Sequence, residues 1–333
     1  PHMLEVLTCM ALGARLGGFK THADHFIVMS KKILRNLYDT QSVSTASGAY
    51  LLGMYIATFE SVPKGYFYIE MAKLIIQQLK HRRILEGDDT KKLTLIDRGF
   101  RLHHFDTNIS RGEMIDNNES VVNELAALSL NNKKRVFISP EIVQGLWASI
   151  TAVWFRVSRV PWFASIWGEN ANMPSLTVPE YNHCIKEIQR VKTIIENDLT
   201  RISPINATYF SVMVESVETL ANLAADNHEL ALRGAWTCWH SYVNASSMSF
   251  FPGSLCTTFN CCSVAIQCKD AQLFQTTFST LLSLSSTWRL GRIFISAVYD
   301  DAKESGLDVS AYTEIIAELR ATQPTTVQDM CAY

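Results

Sequence analysis

The sequence predicts an all-α fold: a compact, multi-helix domain of about a dozen helices in antiparallel helical hairpins. Three observations carry that expectation. Apolar residues recur at helical spacing along nearly the whole chain, as in Leu146, Ile150, Val153, Trp154 and Val157. Alternating two-residue patterns joined by hairpin turns are nearly absent. Hydroxyl-proline pairs punctuate the chain where helices should begin.

Taken in order, stripes mark helices over Phe26–Tyr38, Val43–Phe59 and Tyr66–Lys80. Polar interruptions follow at Glu86–Lys92, Ser110–Glu124 and Leu130–Arg135, and a seam within the single large domain (residues 4–333) is expected at 110–135. Ser139-Pro140-Glu141 starts the helix that bears Leu146 to Val157. Thr177-Val178-Pro179-Glu180 reads as a capping box with proline inside, and it opens a helix through Tyr181, Cys184, Ile188, Val191, Ile195 and Leu199. Further stripes cover Ile205–Ala225, Leu230–Ser246, Ala271–Ser285, Trp288–Lys303 and Val309–Arg320. Gly306 and Asp308 read as a helix stop and the next cap. No repeat of fixed period is found.

Composition narrows function. Charged residues make up 19% of the chain against 47% apolar, and the formal charge is −2, so no basic field exists for gripping nucleic acid. Eight cysteines show no Cys-x-x-Cys pair and read as reduced core thiols of a cytosolic or nuclear protein. Pro1-His2-Met3 reads as residues left by cloning, and no signal peptide is visible. Gly234–Cys268 holds 35 residues without Asp, Glu, Lys or Arg, yet His240, Asn244, Ser246, Ser247, Pro252 and Asn260 make it too polar for lipid. No membrane span is expected.

Motifs that carry chemistry are sparse. Asp300, Asp301 and Glu304 form an Asp-Asp-x-x-Glu pattern resembling the magnesium-binding carboxylates of helical isoprenoid synthases. The second cluster that chemistry needs is poorly met: four positions after Asn197 stands Arg201 instead of a hydroxyl ligand. An enzyme of this type is nevertheless the alternative reading, and a helical scaffold that binds a partner helix is another. His22-Ala-Asp-His25 and His103-His104-Phe-Asp106 could each offer metal ligands, but His22 and His25 alone do not close a tetrahedral site, and without a partner cluster both groups read as surface or capping histidines. Cys256, Cys261, Cys262 and Cys268 would scatter their sulfurs around a helix. Nucleophile elbow, P-loop and dinucleotide fingerprint are missing. No catalytic residue, metal or cofactor is expected.

The uncharged segment leaves two readings open. One is a central helix with its following turn, buried on all sides. The other is an apolar ligand pocket lined by Trp236, Trp239, His240, Asn244 and Met248, with Trp147, Trp154 and Phe155 as the opposite wall.

The N-terminal third adds a resemblance. A small-residue helix (Ala11, Leu12, Gly13, Ala14) is followed by Ala23, Phe26, Lys32 and Leu34, then by Ala49–Tyr55 after Ser44-Thr45. Tyr68, Met71, Ala72, Leu74, Gln78, Leu79 and His81 complete the pattern. This run resembles the regulatory, or middle homology, region of fungal binuclear zinc-cluster transcription factors. Arg98, Arg101, Asp106 and Ser110 fit that family's next helix, with His103 and His104 where it carries tryptophans, and Asp270 to Trp288 resembles its late helix pair. The small residues, including Ala11, Gly13, Ala14, Gly48 and Gly53, are expected to let helices approach closely.

The resemblance implies a non-catalytic, nuclear regulatory domain and is compatible with shuttling to the cytoplasm. Such a domain responds to a small apolar effector, masks or releases an activation segment, or contacts coregulators. It also implies homodimerisation, and zinc and DNA contact only through a separate N-terminal domain.

Overall fold

Small residues set the geometry of the first four helices. The structure, a computed structural model, describes residues 2–37, 40–81, 93, 96–97, 140–157, 176–200, 203–245, 253–285 and 290–322. These fall into two compact units, one N-terminal and one built from residue 140 onward. The seam expected at 110–135 lies outside the described residues, as do His103, His104, Asp106 and the other loop motifs.

The N-terminal unit comprises α1 (His2–Leu16), α2 (Lys20–Asn36), α3 (Val43–Phe59) and α4 (Val62–His81). Its core includes Leu4, Ala11, Ala23, Ile27, Leu52, Tyr55, Ile56, Ala72 and Ile76. Burial pushes the Tyr55 phenol up to about 12, with Arg15 opposing the shift. The α3–α4 pair is an antiparallel hairpin, since Gly53 meets Ile69 while Ala57 meets Gly65. A Cβ on Gly65 would lie 2.4 Å from the Ala57 nitrogen, and one on Gly48 would lie 2.5 Å from Leu4 Cγ. Gly13 departs from the expectation: nothing stands within 4 Å of its absent Cβ, because it faces outward on α1.

Helix ends follow local chemistry. Gly18 has φ +81°, and Phe19 donates to the Ala14 carbonyl at 2.8 Å, turning α1 into α2. Ser42 caps α3 by accepting from the Thr45 amide at 3.1 Å. Ser44 and Thr45 therefore lie in the first turn of that helix, as the stripe over Val43–Phe59 expects.

The second unit holds α5 (Pro140–Val157), α6 (Val178–Ile194), α7 (Pro204–Ala224), α8 (His228–Asn244), α9 (Gly253–Gln267), α10 (Ala271–Ser285), α11 (Leu290–Glu304) and α12 (Thr313–Thr322). A π-helical turn, Ile195–Leu199, extends α6, and a 3-10 turn, Ser310–Tyr312, precedes α12. The described helices thus number twelve, and no strand occurs among the described residues.

Glu180 accepts from the Thr177 amide at 2.9 Å, which is its half of the capping box, and also from the Thr177 hydroxyl at 2.6 Å. At the end of α11, Leu307 donates to Ala302 and Gly306 has φ +85°, while Asp308 accepts from the Ser310 amide. The stop read from Gly306 is present, whereas Asp308 closes a local turn one residue before Val309, the N-cap of the 3-10 turn.

Within this unit α7 packs against α5, α6, α8 and α9. Helix α9, which periodicity alone did not single out, is buried along almost its entire length against α7, α8, α10 and α11. Phe259 meets Phe294 at 4.6 Å, and Phe274 stacks on Phe278 at 5.2 Å. No described helix is long and apolar enough to cross a membrane.

Candidate functional site

The uncharged stretch folds as two different helices. Helix α8 is amphipathic: Ala231, Ala235, Cys238, Trp239 and Tyr242 are buried, whereas Thr237, His240, Val243 and Asn244 face solvent. The expectation of all-round burial is corrected here and belongs to α9 instead. Absence of charge does not imply absence of a wet face, because Thr, His and Asn supply one without an ionised group.

The expected pocket residues take several separate roles. Trp154, on α5, donates its indole N–H to Asn260 Oδ1 at 2.9 Å. Asn260 Nδ2 donates to Ser216 Oγ at 3.2 Å, and Ser216 donates to the Met213 carbonyl at 2.7 Å. This buried polar chain links α5, α9 and α7 with each member partnered. Trp147 is half-buried on α5. Trp239 stacks on Tyr242 at 5.2 Å.

Trp236 is half-buried, stacks on exposed His240 at 5.7 Å, and donates to Asp270 Oδ2 at 3.0 Å. Asn244 is exposed one turn beyond His240. Met248 and the Phe155 side chain lie outside the described residues. The structure therefore brings Trp236 and His240 together at the surface and assigns Trp154 to an interior hydrogen bond.

The same corner holds a concavity that sequence reasoning missed. It lies between the start of α8 and the end of α9, has a volume of about 450 Å³, and is lined by His228, Glu229, Leu232, Gln267 and Cys268. Cys268 Sγ lies 4.0 Å from His228 Nδ1 and 3.6 Å from the His228 carbonyl oxygen. Burial and the Asp270 charge push its thiol up. Forty positions separate the two residues, so only the antiparallel register of α8 and α9 joins them. That register also sets Cys261 against the Ala235 carbonyl.

The fully buried thiols of this unit are structural. Cys238 and Cys262 are fully buried, and both are pushed up, Cys238 chiefly by its thiol neighbour Cys261 and Cys262 by burial. Cys262 contacts Thr277 Oγ1 at 3.2 Å. Neutral buried thiols pack as small apolar groups.

One carboxylate of the alternative enzyme reading is engaged elsewhere. Asp300 Oδ2 accepts from Arg320 Nη2 at 2.6 Å, and Arg320 also binds the Ser296 hydroxyl and carbonyl, fastening α12 to α11. Glu304 is exposed. Among the described residues no group of three or more His, Cys, Asp or Glu is placed to hold a metal ion. His22 and His25 are exposed on α2, each edge-on to a phenylalanine.

Comparison with protein-family models, curated proteins and solved structures finds no match to this chain.

Proposed function

We propose that this chain is a non-catalytic regulatory domain of the fungal zinc-cluster transcription-factor type. In this reading it works in the nucleus, responds to a small apolar effector, and contacts coregulators. DNA contact falls to a separate zinc-cluster domain, and the regulatory body pairs as a homodimer.

One observation carries the reading. Most of the apolar positions that carry the N-terminal resemblance pack helices: Ala11, Ala23, Leu34, Ala49, Leu52, Tyr55, Ala72 and Leu79 are buried in the first unit, while Gly13, Lys32, Leu74, Gln78 and His81 face solvent. A motif of that kind encodes a way of stacking helices rather than a reaction. An effector that prefers one of two helix packings would shift the population toward it, and only that differential affinity could transmit a signal.

The test is a reporter assay with the chain tethered to an unrelated DNA-binding domain in yeast. A change in reporter output, altered again by members of a hydrophobic-metabolite panel that also raise the melting temperature, is the expected result. Unchanged output with every compound, together with magnesium-dependent turnover of a prenyl diphosphate, would overturn it.

A further inference from the structure

The geometry points to a two-coordinate site for a soft, monovalent d10 cation such as Cu(I), held between Cys268 Sγ and His228 Nδ1 in the concavity at the α8–α9 corner.

The separation of the two ligand atoms bears on the metal class. Bonds of about 2.3 Å to sulfur and about 2.0 Å to imidazole nitrogen span about 4.3 Å in line and about 3.5 Å at the tetrahedral angle. The observed 4.0 Å lies nearer the in-line span, so a cation on the line between the two atoms needs them to part by a few tenths of an ångström. A tetrahedral ion would need them closer together and would need two further ligands. Among the described residues no third His, Cys, Asp or Glu completes such a set. Soft thiolate ligands select Cu(I), and imidazole suits copper as well.

Charge also favours a cation here. Glu229 lines the concavity, and Asp270 lies close enough to Cys268 to act on its thiol. Cys268 follows the last residue of α9, at the helix end that carries the partial negative charge of its dipole. That field opposes a bare thiolate, so an activated nucleophile is the poorer reading of this Cys–His pair. A thiolate capped by a cation meets no such penalty. Leu232 supplies an apolar wall beside the pair.

Binding is a proton exchange without redox change. The Cys268 S–H proton leaves to solvent as the S–Cu bond forms. The Nδ1 lone pair of His228 makes the second bond while Nε2 keeps its hydrogen, and copper stays in the +1 state.

The assignment stands apart from the regulatory reading and is tested separately. Under anaerobic conditions, the purified chain is titrated with Cu(I) presented as its bicinchoninate complex. One equivalent is expected to transfer to the protein, resistant to excess Zn(II). Cys268→Ser and His228→Gln should each lose it, with far-UV circular dichroism confirming their fold, while Cys9→Ser, at an exposed thiol, should retain it. In the unmutated protein, that equivalent should shield Cys268 from maleimide labelling and leave Cys9 labelled, as read by peptide mass spectrometry. No transfer, displacement by zinc, retention by His228→Gln, or shielding of Cys9 instead of Cys268 would each overturn the site.

Discussion

The Trp236 indole and the Asp270 carboxylate close the corner between α8 and α10: Nε1 donates to Oδ2 at 3.0 Å while Oδ1 accepts the Leu273 amide at 2.9 Å. One side chain thus caps a helix and anchors a tryptophan from its neighbour. An N-cap contributes about 1 kcal/mol, and a hydrogen bond to a charged group about 1.5–3 kcal/mol. Asp270→Ala should therefore cost about 2–4 kcal/mol in urea unfolding. A double-mutant cycle with Trp236→Phe should give a coupling of about 1 kcal/mol. Strict additivity would show that the indole bond contributes nothing.

The buried chain Trp154–Asn260–Ser216 is the second point of leverage. Asn260 is wholly inaccessible and serves two helices at once, accepting from one and donating to the other. Asn260→Leu leaves the Trp154 N–H without its acceptor and removes the donor to Ser216, so a loss of about 2–4 kcal/mol is expected. Trp154→Phe should cost about 1–3 kcal/mol, because the Asn260 oxygen loses its donor while the bond from Asn260 to Ser216 is kept. The ratio of the two midpoint shifts in thermal or chemical unfolding checks the assignment.

How far the fold could be read from sequence depends on which signal each element carries. Helix α6 was legible because its stripe is regular and Thr177 and Glu180 advertise its start. Helix α9 was not, since a helix surrounded by neighbours has no polar face and so no period: Gly253 to Ile266 is buried apart from half-buried Cys256. The same lack of charge misled the reading of α8, where Thr237, His240 and Asn244 form the wet side. Trp154 and Trp236 were singled out for bulk, but their N–H partners, Asn260 and Asp270, are far away in sequence and only packing reveals them. The Cys268–His228 pair was invisible for the same reason.

Glycine substitutions offer a paired test of helix approach. At Gly65 a methyl group would meet the Ala57 nitrogen at 2.4 Å and its Cβ at 2.5 Å, so α3 and α4 must part. Gly65→Ala should cost about 1–3 kcal/mol, as overpacking does. Gly13→Ala, on the outward face of α1, meets nothing within 4 Å and should stabilise by about 0.5–1 kcal/mol through helix propensity. Opposite shifts in unfolding midpoint for one and the same chemical change are the expected outcome. Destabilisation by both would mean that Gly13 has a packing role after all.

Two glutamates should tilt stability in opposite directions with pH. Burial is the main cause that raises the Glu215 carboxyl, with Lys192 and the Ser241 hydroxyl opposing it, and its Oε2 is buried without a hydrogen-bond partner. The folded chain then holds that proton to higher pH than the unfolded chain does. Its stabilising contribution is complete below the ordinary carboxylate range and is lost as pH rises through the elevated value. Glu215→Gln should accordingly gain on the parent as pH climbs from acid toward neutral. Glu180 is lowered by the Thr177 hydroxyl and amide, so its contribution is present above the ordinary range and fades as pH falls through the depressed value. Glu180→Gln should be weaker than the parent at neutral pH and converge with it in acid, by a small amount because the group is exposed to screening solvent. Urea unfolding of the three proteins between acid and neutral pH checks both signs, and a Glu215→Gln stability that falls relative to the parent as pH rises would contradict the desolvation argument.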